Sequence, residues 1–427
     1  PEERALCREV AVAGTVLARN EGAALPLAPA DGLRVAVVGP NAAATRTMGG
    51  GSSSLRSLPS RSILDALTDR YPGLVHEQGC RIDKFVPLPD PARLVGPDGA
   101  PGLEVRFVPG IDAEEKPSYV GRTPDGSVRY FGSVPPGVEG GPHVLTVRGA
   151  YVPDQDGPHR VGAIVTGAPS VRIGTEQLTV GGQRPPAGEA FFGTASAEQT
   201  GTVEARAGEP IPIEVELRMS RPFAGLRLGV DPPPDPAMLD RAVTAAADAD
   251  ATVVVVGTND EWETEGHDRT TIALPGEQDE LVRRVAAAAP RTIVVVNAGA
   301  PVAMPWFDEV DAIVLPFFGG MEAGEAVADV LTGVTDPGGR LPITFPHRLE
   351  DSPAWPHHAP VEGVQTYGEG FGIGYRGHDR SGVAPLLPFG HGLSYGSATW
   401  GEAVASCTTV AAGDALTVTV PVTADGD

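Results

Sequence analysis

"ATVVVVG" (Ala251–Gly257) carries no charge and holds four consecutive valines, and the strongly acidic "TNDEWETEGHDRTT" (Thr258–Thr271) follows it directly. β-Branched side chains lose rotamer freedom in a helix and fit a pleated surface. The run is continuously apolar rather than alternating, which predicts a strand covered on both faces, as in a parallel sheet between helices. The flanks agree. "MLDRAVTAAADAD" before it and "GEQDELVRRVAAAAP" after it have apolar residues at helical spacing. Downstream come "TIVVVNAG" and "DAIVLPFF" as strands and "MEAGEAVADVLTG" as a helix. Near the start the same texture appears in the strand "LRVAVVGPNA", the helix "SILDALTDRY" with Ser62 as N-cap, and the strand "LVHEQGC". The fold class is therefore α/β, a flavodoxin-like sandwich with a parallel sheet over residues 32–86 and 233–350.

Between those halves the texture changes. Over residues 87–232, short runs such as "GLEVRFV", "PHVLTVRGAYV", "HRVGAIVTG" and "IPIEVELRM" alternate apolar with polar residues, and Pro and Gly are dense. This predicts an all-β sandwich of antiparallel strands inserted into the α/β domain. A surface loop tolerates such an insertion because closure entropy grows slowly with loop length. Residues 1–31 read as a helix, with Ala5, Val10, Ala13, Val16 and Leu17 at helical spacing, followed by a linker. Residues 351–400 read as an irregular wrapping segment, and "ALTVTVPVTADGD" within 401–427 as a strand with no partner sheet of its own. Both ends read as cuts, so the expectation is a piece of a longer chain.

The formal net charge of -23 argues against nucleic acid and anionic membrane as partners. No apolar run approaches the roughly 20 residues of a membrane span. A soluble protein acting on a small neutral or cationic substrate is expected; its compartment and homo-oligomerisation stay open. Cys7, Cys80 and Cys407 are widely spaced and imply neither a disulfide framework nor a metal site. No cofactor motif occurs: the chain after "VAVVG" continues "PNAAAT", not a dinucleotide fingerprint, and no Gly-x-Ser-x-Gly elbow is present.

Parallel α/β sheets bind ligands at the carboxyl ends of their strands. Two such ends stand out: "GPNAAATRTMGGGSSSL" after the first strand, and the acidic loop. Carboxylates beside Trp262 offer what sugar chemistry needs, namely a pair of carboxyl groups of which one is kept protonated by burial or like charge. On residue types alone, Glu261, Glu263 and Glu265 are equivalent, and a solvated acidic loop competes with a site.

The acidic stretch through "ALPGEQDELVRRV", with "TIVVVNAGAPVAMPW" and "FFGGMEAGEAVADVLTGVTDPGGRLPITFP", resembles the α/β sandwich domain of glycoside hydrolase family 3. "YGEGFGIGYR" and "PFGHGLSY" resemble the segment leading into that family's fibronectin-III-like domain, and residues 401–427 would be its first strands. "REVAVAGTVLARNEGAALPL" resembles the linker that leaves the family's N-terminal barrel. The inserted β region resembles the protective-antigen-like sandwich of one branch of β-glucosidases. The resemblance implies a retaining β-glucosidase acting on short or aryl glucosides. It implies Glu265, in "TEGHDR", as acid/base and Ser52, with Ser53 as a second choice, beside the sugar. Trp262 would give an apolar face to the substrate. Asp268 and Arg269 would pair to fix the loop, and Glu261 or Glu263 would raise the pKa of Glu265 or bind solvent. Met321 departs from the family's Gly-Gln-Glu pattern at an orienting segment, and His391 would hydrogen-bond locally. His357 and His358 read as surface residues. The family's nucleophile is an Asp in an Asp-Trp dipeptide of the barrel, and this chain has none. A barrel-less carbohydrate-binding protein is the other reading.

Overall fold

The structure, a computed structural model, describes residues 2–29, 32–55, 58–110, 116–131, 135–138, 141–191, 193–220 and 223–425. One sheet is built from β1 (Val16–Asn20), β2 (Val35–Val38), β3 (Val75–Glu77), β4 (Ala251–Gly257), β5 (Thr292–Asn297) and β6 (Ala312–Leu315). The spatial order is β1-β6-β5-β4-β2-β3. All neighbours are parallel except the edge strand β1, which runs antiparallel to β6. In register, Val253 stands between Val37 and Ile293.

The valine run explains the layering. Successive residues of a strand point to opposite faces. Ala251, Val253 and Val255 pack with α1 (Glu2–Gly14), α2 (Ile63–Thr68) and α5 (Ala323–Thr332). Val254 and Val256 pack on the other side with α3 (Met238–Ala247) and α4 (Gln278–Ala288). Every residue of β4 is buried, and each valine so covered contributes about 1.5–3 kcal/mol of transfer free energy. Ser62 caps α2 in a reciprocal box with Asp65, each backbone N–H donating to the other's side chain at 3.0 Å. Gly333 ends α5 at φ 74°.

The N-terminal spacing was only half a helix. The helix stops at Gly14; Val16 and Leu17 belong to β1, where they are fully buried on opposite faces of the sheet. Val10 is exposed, and Ala11 and Val12 make the helix's contact with the core. Consecutive apolar residues on either side of a glycine mimic helical spacing, but here they serve two elements.

Two antiparallel sheets fill the space between β3 and α3. One has the strand order 176–179, 170–173, 211–219, 143–151, 103–109, 119–123; the other has 199–205, 157–165, 223–231, 127–131. Ile211–Met219 alternates buried and outward residues along its length. Phe107, Leu145, Val147, Val161, Ile213 and Leu226 form the core between the sheets. The chain's entry and exit lie side by side: Val230 N–H donates to Pro87 O at 3.0 Å, and Arg81 pairs with Asp231 at 2.6 Å.

The tail folds back on the α/β domain through a bridge between Phe345 and Leu387 and through Leu393 N–H to Leu17 O at 2.8 Å. It also contains a helix, Gly374–Ser381, that its glycine-rich sequence hides. His391 bonds locally only through its backbone, N–H to Pro388 O at 3.1 Å; its ring Nε2 lies 2.8 Å from Ala18 O, tying the tail to β1. Beyond it, Ser397–Trp400 pairs with Val422–Asp425 in an exposed two-stranded ladder. Among the described residues, no helix is long and apolar enough to cross a membrane.

Candidate active site

From β2 the chain proceeds to β3 on one side, and from β4 to β5 on the other. The loops that follow β2 and β4 therefore part, which opens a crevice at the carboxyl ends of the strands. Buried amides fix the crevice floor. Asn41 Nδ2 donates to Thr258 O at 2.9 Å; Asn297 Nδ2 donates to Arg46 O and Phe317 O at 2.9 and 2.8 Å, while its Oδ1 accepts from Arg46 N–H at 2.7 Å. Gln278, fully buried, accepts from Gly257 N–H at 2.7 Å and donates to Gly257 O and Pro275 O, both at 2.8 Å. These three amides were not foreseen. In a sequence they are ordinary loop-flanking polar residues, and only burial reveals their role.

The glycine-rich loop lies against the acidic loop. Gly50 N–H donates to Glu263 O at 2.8 Å, and Gly50 bridges Thr264. A Cβ on Gly50 would sit 2.3 Å from Asp260 O, so a side chain there is excluded. Gly51 has φ 74°, and a Cβ on it would stand 3.0 Å from Glu265 Cβ. This close approach delivers Ser52 to Glu265. Ser52 Oγ donates to Glu265 Oε2, and Ser52 N–H donates to the same oxygen at 3.1 Å. Ser53 bonds Gly50 O at 2.8 Å and lines the crevice.

The crevice has a volume of about 380 Å³ and is lined by Gly50, Ser53, Trp262, Glu265 and Phe318 among others. A larger cavity, about 920 Å³, lies in the inserted sandwich around Thr166, Arg184 and Arg218; no carboxylate lines it among the described residues, so it cannot perform two-carboxylate chemistry.

The three glutamates are not equivalent. Glu261 is taken by Arg227 of the insert at 2.5 Å and accepts Lys84 N–H at 2.9 Å. Glu263 accepts from Thr258 Oγ1 at 2.5 Å and Gly299 N–H at 3.1 Å. Neither raises the pKa of Glu265, contrary to the sequence expectation. Glu265 is exposed, and its carboxyl is held below the ordinary value, first by the Ser52 hydroxyl and then by the Ser52 N–H. Asp268 and Arg269 form no ion pair with each other among the described residues. Arg269 instead donates to Pro301 O at 3.0 Å, so a backbone carbonyl anchors that end of the loop. Trp262 Nε1 donates to Ile82 O at 2.6 Å, and Lys84 Nζ stands 5.3 Å from its ring centroid, so the indole is part of the loop's anchorage as well as of the crevice wall. Among the described residues, no group of three or more His, Cys, Asp or Glu is placed to hold a metal.

Residues 15–375 match the model of the glycosyl hydrolase family 3 C-terminal domain. A β-glucosidase of Rhizobium radiobacter is 35% identical over 441 residues, covering 100% of this chain and 52% of that protein. A probable β-glucosidase I of Aspergillus terreus is 33% identical, covering 92% of this chain and 49% of its own. Among solved structures, a β-glucosidase from Kluyveromyces marxianus in complex with glucose superposes with a TM-score of 0.85 at 29% identity, over 95% of this chain and 50% of that one. DesR, a β-glucosidase from Streptomyces venezuelae in complex with D-glucose, gives a TM-score of 0.63 at 30% identity, over 98% of this chain and 48% of that one. The chain thus spans about half the length of the relatives it matches.

Proposed function

The chain belongs to glycosyl hydrolase family 3, and from that premise we propose that it is the acid/base-bearing half of a retaining β-glucosidase. The substrate class is a terminal β-D-glucosyl residue on a short oligosaccharide or an aryl aglycone, and the reading draws on relatives named β-glucosidases, two of them solved with glucose. The observation that carries the assignment is the position of Glu265. It is the one glutamate of the acidic loop left facing solvent at the switch-point crevice, with Ser52 on its carboxylate.

In the proposed reaction a nucleophilic Asp from the barrel, outside this chain, attacks the anomeric carbon while Glu265 protonates the departing oxygen. Glu265 then accepts a proton from water, which attacks the glycosyl-enzyme. Two carboxyls about 5 Å apart are needed for this, and the chain supplies one. The Ser52 hydrogen bonds hold Glu265 ionised, the state required for the second step. Protonation for the first step calls for the closed site to exclude water and raise its pKa. Ser53 and Trp262 are proposed sugar contacts, and Asp268 a polar group of the crevice rim. The insert, which reaches the acidic loop through Arg227 and Glu189, would narrow the aglycone side and favour small aglycones.

The test uses the full-length protein and a series of aryl β-glucosides. Glu265→Gln should preserve kcat/KM for a dinitrophenyl leaving group, which needs no proton, and lower it about 10²–10⁴-fold for poor leaving groups. Equal loss on both would remove Glu265 from the acid role. Sugar binding without turnover by the wild type would favour the carbohydrate-binding reading instead.

A further inference from the structure

Glu265 has an exposed side chain, and among the described residues its carboxylate is hydrogen-bonded by Ser52 alone. An exposed side chain cannot be placed by packing, so its position is inherited from the loop on either side. We propose that the inserted sandwich positions the Glu265 loop by holding it on both sides of that residue, with Arg227 on Glu261 and Glu189 on His267. The proposal rests on the reading of Glu265 as the acid/base.

The first hold lies four residues before Glu265. Arg227, on the insert strand Phe223–Asp231, places Nη2 2.5 Å from Glu261 and Nη1 2.5 Å from Val86 O, with its guanidinium carbon 5.5 Å from the Phe85 ring centroid. Glu261 also accepts the N–H groups of Lys84 and Phe85, at 2.9 and 3.4 Å. Only 11% and 16% of the two charged side chains are exposed. The second hold lies two residues after Glu265. Glu189, from the loop between the strands 176–179 and 199–205 of the insert, reaches His267 Nε2 with Oε1 at 3.0 Å and pairs through Oε2 with Lys84. Lys84 in turn lies over Trp262, whose indole N–H is bonded to Ile82 O. Residues 82–86 are thus clasped between insert and loop, and both holds converge on them.

The two holds differ in kind. Breaking the enclosed Arg227–Glu261 pair would leave a charge stranded and threaten the fold. The Glu189 contacts are 39% exposed on both the glutamate and the histidine. Pairs this exposed add little stability, so the consequence of Glu189 is positional, and this separates it from a merely structural residue. Catalytic groups must be held to about 0.5 Å.

The experiment compares Glu189→Gln with the wild type in the full-length protein. Expected are an unchanged melting temperature, a fall of about tenfold or more in kcat/KM for poor leaving groups, and no change for dinitrophenyl β-glucoside. Backbone amides of 259–269 should exchange several-fold faster, while those of β4 keep their protection. Glu214→Gln, which removes the insert's exposed pair with Arg172, should change neither. Lys84→Met breaks the same cluster from the other side and replaces Glu189→Gln should that variant fold poorly. Unchanged exchange, or a loss independent of the leaving group, would overturn the proposal. If Glu265→Gln shows no leaving-group dependence, the acid/base reading fails by itself, and hydrogen exchange alone decides whether the insert holds the loop.

Discussion

Gly50→Ala puts the loop-on-loop contact to the test. Gly50 has φ −84° and ψ −176°, an extended conformation that alanine adopts without strain, so the backbone does not forbid the change. The obstacle is the Asp260 carbonyl. The new methyl would stand 2.3 Å from Asp260 O, where real Cβ atoms essentially never come within 3.0 Å. The two loops must therefore part by about 0.7 Å or more, the difference between those distances. Gly50 N–H to Glu263 O lengthens from its 2.8 Å, and Ser52 is carried away from Glu265. Forcing one methyl into a filled contact costs about 1–3 kcal/mol. A misplacement near 1 Å costs catalysis about 10²-fold. On the proposed function, steady-state kinetics of the full-length protein on aryl β-glucosides with poor leaving groups should show that loss. Gly338→Ala, where a Cβ meets nothing within 4 Å, should be silent. Full activity and full stability in Gly50→Ala would refute the claim that the glycine loop sets Ser52 against Glu265.

Other outcomes follow from single groups. Ser52→Ala removes the main cause of the lowered Glu265 pKa; a general acid must be protonated, so the alkaline limb of the kcat/KM profile should move to higher pH, and a limb that stays or falls would contradict the assignment. Gln278→Leu keeps the volume but orphans Gly257 N–H, Gly257 O and Pro275 O; at roughly 1–3 kcal/mol per orphaned group, the urea midpoint should fall clearly, and an unmoved midpoint would mean that other groups satisfy them. Burial pushes the Cys80 thiol up to about 12, helped by the charge of Glu277. Cys7 and Cys407 are exposed, so an aromatic disulfide reagent at pH 8, with the labelled sites read by peptide mass spectrometry, should modify these two at once and Cys80 only on unfolding. Fast labelling of Cys80 would contradict its burial.

The sheet was legible because β2, β4, β5 and β6 are short, uncharged runs dominated by valine, isoleucine, leucine and alanine, buried along their whole length. The insert was legible because alternation such as that of Ile211–Met219 has one structural meaning. The acidic loop was legible as a strand end, but the choice of Glu265 came from family resemblance and not from its chemistry. What stayed hidden depends on partners far along the chain. Glu261 is paired with Arg227, Glu263 with Gly299 besides nearby Thr258, and the His391 ring with Ala18. No local pattern encodes such contacts. Val16 and Leu17 misled because their helical spacing to Val10 and Ala13 crosses Gly14, where the chain changes from helix to strand.

The like charge in "EWETE" is tolerable for a geometric reason. Glu261, Glu263 and Glu265 occupy every second position, so on an extended strand all three carboxylates would share one face. A turn prevents this. Asn259 Oδ1 accepts from Glu261 N–H at 3.0 Å, and Asn259 O accepts from Trp262 N–H at 3.1 Å and Glu263 N–H at 2.9 Å. The rotation sends Glu261 to the insert and Glu263 to the end of β5, and of the two glutamates that line the crevice, Glu263 and Glu265, only Glu265 is exposed. Two of the three charges are thereby neutralised or hydrogen-bonded in holding the loop, and one is left at the solvent-facing edge. Asn259→Ala should therefore do more than loosen a turn. It removes the acceptor of Glu261 N–H and lets the carboxylates return toward one face, where their repulsion would raise the pKa of Glu265. That shift is open to measurement by carboxyl titration in the full-length protein. An unaltered Glu265 titration in Asn259→Ala would show that the long-range partners, and not the turn, keep the three charges apart.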